Sequence, residues 1–282
     1  MPHGLLERLK PSPRLPVMFI GHGSPMNVIE DTAWRRSWRS LGAQLLDRCQ
    51  RPQLILCISA HWVTESDWAL TAMAQPRTIH DFGGFPQELF AQQYPAPGAP
   101  AVAAQLAAEL RAPDGAGGPL LDLDWGLDHG TWSILKPMFP DADIPVIQLA
   151  MPYGAHPQKH WELGRQLRAL RERGVLVVGS GNVVHNLRAM RRDITSEHQA
   201  YDWAAEFDAQ VERRWDSGDL ADLANFLDWG ESARLSHPSH EHFLPLLYAA
   251  AAVHDDEAPQ VFNASFQYAS LSMRSAAWVM PE

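Results

Sequence analysis

Two kinds of hydrophobic spacing alternate along the chain. Short unbroken apolar runs occur at residues 15–20 (LPVMFI), 54–60 (LILCISA), 144–150 (IPVIQLA) and 175–178 (VLVV). Runs of that length without polar interruption suit strands buried on both faces. Between them, apolar residues recur at helical spacing. Residues 31–48 set Trp34, Trp38, Leu41 and Leu45 among arginines, with Asp31 or Thr32 as the cap. Residues 101–111 predict a helix. So do residues 157–173, with Pro157 at the start and Gly174 after the end. Residues 131–139 predict one that Asp128 caps, and residues 201–215 and 240–253 also read as helical. Residues 68–74 predict another strand, and residues 260–273 alternate like an edge hairpin. The Pro/Gly-rich stretch 82–100 reads as a long loop carrying one short helix.

Strands alternating with helices predict an α/β protein with a central, mostly parallel sheet flanked by helices. About six strands are too few for an eight-fold barrel. No linker, repeat or low-complexity segment divides the chain, so the expectation is a single domain over residues 15–282 after an N-terminal extension, 1–14. In such sheets the active site lies at the C-terminal ends of the strands.

Composition narrows the function. A chain of 282 residues can bury a large core without a disulfide or metal staple. A net charge of −10 argues against a nucleic-acid partner. No apolar stretch approaches the ~20 residues of a membrane span, and the opening MPHGLLERLKPSPRLP has no secretory apolar region. Cys49 and Cys57 make neither a disulfide framework nor a zinc knuckle. A cytoplasmic protein is expected.

The histidines are the chemical signal. There are 13, against five tyrosines, and several end apolar runs beside small residues. His22 follows VMFIG, His61 follows LILCISA, and His185 stands just past VLVVGSGN, so three strands deliver an imidazole to one sheet edge. His129 opens a helix, where the dipole lowers its pKa. His237, His240 and His242 crowd one helix start, where only one or two can point inward. His156 and His160 have chelating i, i+4 spacing but read as a solvated helix start. His80 sits in a loop that could cover a pocket, and His3, His198 and His254 read as surface. Several neutral imidazoles without cysteine suit Zn(II) or Fe(II). Histidines in excess of three ligands point to acid–base chemistry beside a metal, hence to an enzyme.

Seven motifs then carry a family resemblance. GHGSPMN (from Gly21), SAHW (from Ser59), TIHDFGGFP (from Thr78), YPAPG (from Tyr94), DHGTW (from Asp128), SGNVVHNL (from Ser180) and EHFLPLLY (from Glu241) fall in one order over roughly residues 15–275. In that order the sequence resembles the bacterial 4,5-DOPA extradiol dioxygenase family. These are class III ring-cleaving dioxygenases, related to the catalytic subunit of protocatechuate 4,5-dioxygenase. The resemblance implies a class III extradiol dioxygenase-like catalytic domain with metal ligands at His22, His61 and His242. It implies His185 close to the metal, as a fourth ligand in a zinc form or as acid/base, and His129 as a catalytic group on the opposite side. Protocatechuate-type relatives use two histidines and a glutamate. Here the corresponding position is His242, with Glu241 just before it, and the all-histidine subfamily favours His242. One mononuclear divalent metal is implied, Fe(II) for catalysis and Zn(II) in purified protein. The implied partners are O2 and a small catechol such as DOPA, opened to a semialdehyde by a monomer or homo-oligomer.

Two other readings compete. A zinc hydrolase would need a carboxylate base near the metal, for which Glu241 is the candidate. A Memo-like binding protein would need no such set of histidines. Trp62, Phe82, Phe85 and Trp132 are candidate aromatic pocket residues, and no arginine pair stands near a motif to clamp a substrate carboxylate.

Overall fold

Four parallel strands form one side of the sheet, up to its edge: β1 (Val17–Gly21), β2 (Leu54–Ser59), β3 (Val146–Gln148) and β4 (Val175–Gly181). In the computed structural model, which describes residues 8–113, 115 and 117–278, two further strands complete it. These are β5 (Pro259–Phe262) and β6 (Ser275–Trp278), giving the order β3-β2-β4-β1-β6-β5 with β6 antiparallel to both neighbours. His3 and the first half of the N-terminal extension, residues 1–7, lie outside the described residues. Register aligns the strand ends that matter. Ile20 and Ser59 both pair with Ser180, and Gly21 with Gly181, so β1, β2 and β4 finish at one edge.

Period-two alternation divides the sheet residues between two cores. Val17, Phe19, Leu54, Leu56, Ile58, Val175 and Val177 face one side, and Met18, Ile20, Ile55, Cys57, Leu176 and Val178 the other. Both sets are buried, which is why the strands read as continuous apolar runs. On the second side lie α1 (Ala33–Arg48), which Thr32 caps by accepting from Arg35 N, and α4 (His129–Met138). The short α2 (Gln87–Phe90) sits in the expected long loop. The first side is covered by α3 (Pro100–Glu109), α5 (Pro157–Leu167), α6 (Asp202–Ser217), the short α7 (Glu231–Ser236) and α8 (Leu244–Ala251). After α5 the chain tightens into a 3-10 turn, Arg168–Arg173, and stops at Gly174, whose φ of 71° suits glycine.

Three expectations are corrected. The helix expected at 240–253 starts at Leu244, because Pro245 has no N–H to give and begins it. Residues 241–243 form a turn instead, which frees His242 from the helix face. The expected 260–273 hairpin pairs elsewhere: β5 takes β6 as partner, and only Phe266–Gln267 and Leu271–Ser272 pair within the segment. The strand expected at 68–74 shortens to Ala69–Thr71 and pairs with Leu120–Asp122 outside the main sheet. Among the described residues, no helix is long and apolar enough to cross a membrane.

Candidate metal centre

The shared strand edge becomes a site because polar side chains pin the segment after each strand. Asp128 caps α4 by accepting from Thr131 N and also accepts from Ser59 Oγ (2.6 Å) and Gln148 Nε2 (2.7 Å). That fully buried carboxylate fastens the start of α4, and so His129, to the ends of β2 and β3. Gly181 lies so close to the carbonyl of His242 that a Cβ there would collide with it. The same carbonyl accepts from Asn182 N at 2.9 Å, which draws the 241–243 turn onto the end of β4.

Hydrogen bonds assign the tautomers of two imidazoles, and a carboxylate contact points to the same tautomer in a third. Ser180 Oγ donates to the carbonyl of Gly130 and so accepts from His22 Nδ1–H at 3.0 Å. His61 Nδ1 lies 3.2 Å from Asp81 Oδ2, and His242 Nδ1 lies 2.9 Å from Glu241 Oε1. Both carboxylates only accept, so each ring carries its proton on Nδ1 and its lone pair on Nε2. His22 Nε2 and His61 Nε2 face each other at 3.2 Å, and His242 Nε2 is buried with no protein partner. Two facing lone pairs repel unless a proton or cation lies between them. Donor atoms of His22, His61 and His242 all fall within 4.8 Å of one another. Burial, then neighbouring imidazoles, push the pKa of His22 and of His242 well below the ordinary value. Neutral imidazoles with Nδ1 held by an acceptor fit a divalent metal.

His185 and His129 flank this trio. His185 lies flat against His242, with ring centroids 3.4 Å apart and planes 5° apart. Its donors group with Glu241 and His242 rather than with His22 and His61. Its pKa is pushed down to about 3 by burial and by His61. His129 packs beside His61, centroids 3.8 Å apart, and its Nδ1 donates to Asp81 Oδ2 at 2.9 Å. Burial and His61 lower its pKa, against the pull of Asp81; the expected helix dipole is not the leading cause. Burial pushes the Asp81 carboxyl up, but hydrogen bonds from His129 and His61 outweigh it and keep Asp81 ionised.

The remaining histidines go elsewhere. His237 points into the core among Phe207, Phe226 and Phe243 and donates from Nε2 to the Val183 carbonyl. His240 stacks on Tyr153. His156 is exposed, but His160, expected to be solvated, is fully buried against Tyr248 OH because α5 turns that face onto α8. His80 bonds the Gln92 carbonyl, while its neighbours Asp81, Phe82 and Phe85 line the cavity. His198 is exposed and His254 half-buried. Sequence reasoning passed over Asp81 and Ser180 as partners of the imidazoles; the available signal was an acid or hydroxyl inside a histidine motif.

The cavity holds about 690 Å³ and is lined by His22, His61, His129, His185 and His242. Phe82 and Phe85 line it too, as expected; Trp62 and Trp132 do not. Trp62 stacks on Trp125, and Trp132 is buried in the second core, its Nε1 donating to the Ile79 carbonyl. Glu30, Arg192 and Tyr268 border the same cavity.

Comparison with known proteins agrees with this geometry. The model of a family described as the catalytic LigB subunit of aromatic ring-opening dioxygenase matches residues 16–280. A 4,5-DOPA dioxygenase extradiol from Escherichia coli K12 is 46% identical over 269 residues, covering 94% of each chain. One of the same name from Beta vulgaris is 33% identical, covering 91% of this chain and 94% of its own. The crystal structure of an uncharacterized protein from Escherichia coli K12 superposes with a TM-score of 0.75 at 40% identity, covering 94% of this chain and 99% of that one. The chain therefore belongs to the LigB family of metal-dependent, aromatic ring-opening dioxygenases.

Proposed function

We propose that this extradiol ring-cleaving dioxygenase takes a catechol with an amino-acid side chain, such as DOPA, and opens the ring beside its hydroxyls to a semialdehyde. In this reading residues 15–282 are the catalytic unit, 1–14 an extension, and the enzyme works in the cytoplasm, consistent with two free thiols at Cys49 and Cys57. The observation that carries the reading is the convergence of three Nδ1-anchored imidazoles, with His129 and His185 on either flank, inside one cavity.

His22, His61 and His242 would hold one divalent metal through Nε2. Bound Fe(II) would hold catechol and O2 together and let electrons pass between them. Neutral imidazoles bind Zn(II) more tightly than Fe(II), so purified protein is expected to carry mostly zinc and to need Fe(II) for turnover. His129 and His185 exchange protons with the substrate hydroxyls and the opening ring. An anionic substrate raises the pKa of a facing imidazole, which restores the basicity that burial takes from His185. Phe82 and Phe85, ring centroids 5.4 Å apart, give the ring an apolar wall and keep water out.

Glu30 and Arg192 supply the support for an amino-acid side chain. Both border the cavity, and neither has an ion-pair partner among the described residues. Their charges suit an ammonium and a carboxylate respectively. Two relatives named for 4,5-DOPA agree with that substrate class. The hydrolase reading loses its base: Glu241 is engaged by His242, and Asp81 by His61 and His129.

The test is product mass. Iron-loaded protein with DOPA under 18O2 should yield a ring-opened product carrying both labelled oxygens. Unchanged DOPA, beside ester or amide hydrolysis by zinc-loaded protein, would replace this reading with the hydrolase.

A further inference from the structure

Asp81 touches one histidine of the metal trio and one of its flanking histidines at once. Its Oδ2 accepts from His129 Nδ1 at 2.9 Å and lies 3.2 Å from His61 Nδ1, while its Oδ1 accepts from the backbone N–H of His129 at 2.9 Å. The other acids near the site do not bridge in this way. Asp128 ties Ser59 to Gln148, and Glu241 holds His242. The loop that carries Asp81 is itself pinned. Ile79 N donates to the Leu127 carbonyl at 2.7 Å, and Trp132 Nε1 donates to the Ile79 carbonyl at 2.8 Å. The carboxylate is thus fixed against the same helix start that supplies His129.

We infer that Asp81 is a positioning residue, one carboxylate that sets the Nδ1–H tautomer of both His61 and His129. A neutral imidazole has one N–H and one lone pair, and a carboxylate has only lone pairs to offer. Both Nδ1 atoms must therefore carry hydrogen where they meet Oδ2. The lone pair of His61 is then on Nε2, facing His22 Nε2, and that of His129 is on Nε2 as a proton acceptor. When a catechol hydroxyl gives its proton to His129 Nε2, the O–H bond breaks and an N–H bond forms. The resulting imidazolium keeps its Nδ1–H on Asp81, and the positive charge is created beside a fixed negative one. His61 and His129, packed 3.8 Å apart at 47°, cannot turn independently without losing the shared oxygen. Metal support and proton acceptance are coupled through one side chain. The inference rests on the metal and ring-cleavage reading above, and its test separates the two.

Asp81→Leu keeps most of the volume but removes both acceptor oxygens, so neither Nδ1–H keeps this partner. Zinc affinity, read by chelator competition, should fall by roughly 10- to 100-fold, the usual cost of losing such a support. Asp81→Glu, which keeps the charge, should recover part of it. In zinc-loaded wild type labelled with 15N-histidine, His61 and His129 should both show Nδ1–H, and Asp81→Leu should lose at least one of these signals. A zinc affinity within two-fold of wild type with both signals retained overturns the inference. So does an Nε2–H on His129 in the wild type, which needs no variant to fold. Iron-loaded wild type that consumes no O2 with any catechol would defeat the ring-cleavage reading alone, since zinc affinity and tautomers are measured without turnover.

Discussion

Glu241 Oε1 accepts from His242 Nδ1 at 2.9 Å, and the opposite nitrogen of the same ring is buried without a partner. Two adjacent residues that sequence reading could exchange as ligand thus have separate tasks. The carboxylate holds the ring and the ring faces His22 and His61, with centroids 5.3 and 4.9 Å away.

Accordingly, His242→Ala should lose most bound metal while keeping its fold, because the core is large without it. Glu241→Gln can still accept from Nδ1 and should keep metal, with affinity reduced by roughly ten-fold. Metal analysis after dialysis against chelator decides; full occupancy in His242→Ala with loss in Glu241→Gln would exchange their roles.

His129→Gln and His185→Gln should fold and bind metal, yet open the ring about 10²-fold more slowly or worse, the usual scale for a lost acid or base. Single-turnover rates on metal-loaded variants test this. Near wild-type rates in both would remove the pair from proton transfer.

Arg192→Ala should raise KM for DOPA several-fold more than KM for catechol itself, which has no carboxylate for the arginine to meet. Equal effects on the two substrates would remove Arg192 from side-chain recognition.

Much of this site was legible in the sequence, and the illegible parts share a cause. His22, His61 and His185 were readable because each follows an unbroken apolar run, and parallel strands bring such ends to one edge. The cluster at residues 237–242 was visible as well, but the choice of His242 within it came from resemblance alone. The position of His242 depends on a three-residue turn before α8 and on the missing side chain of Gly181, and neither has a periodic signal. Asp81 was hidden by its neighbour. The motif TIHDFGGFP drew attention to His80, which bonds a loop carbonyl, while the acid beside it accepts from two distant rings. Clustered histidines need acceptors for their N–H groups, and acids inside the same motifs are where to look first. The partner of β5 was equally hidden, because alternation marks a strand and does not choose its neighbour.

Acid should destabilise the fold through histidines away from the metal centre. Burial pushes His160 down to about 3 and His237 down to about 4. In the unfolded chain each titrates near 6.5, so below that pH the unfolded state takes up protons that the folded state refuses. The stability present above pH 6.5 is therefore lost as pH falls toward 3–4, by at most about 1.4 kcal/mol per pH unit for each residue. Urea midpoints at pH 7 and pH 5 should fall further for wild type than for His160→Gln; an equal fall in both would show that His160 titrates normally.

Oxygen uptake measured against metal content tests the central claim most directly. Protein stripped of metal and reloaded anaerobically with Fe(II) should consume one O2 per DOPA opened, in proportion to bound iron, whereas zinc-loaded protein should consume essentially none. Uptake that is independent of iron content, or absent at full iron occupancy across a panel of catechols, would contradict a metal-dependent ring cleavage at His22, His61 and His242.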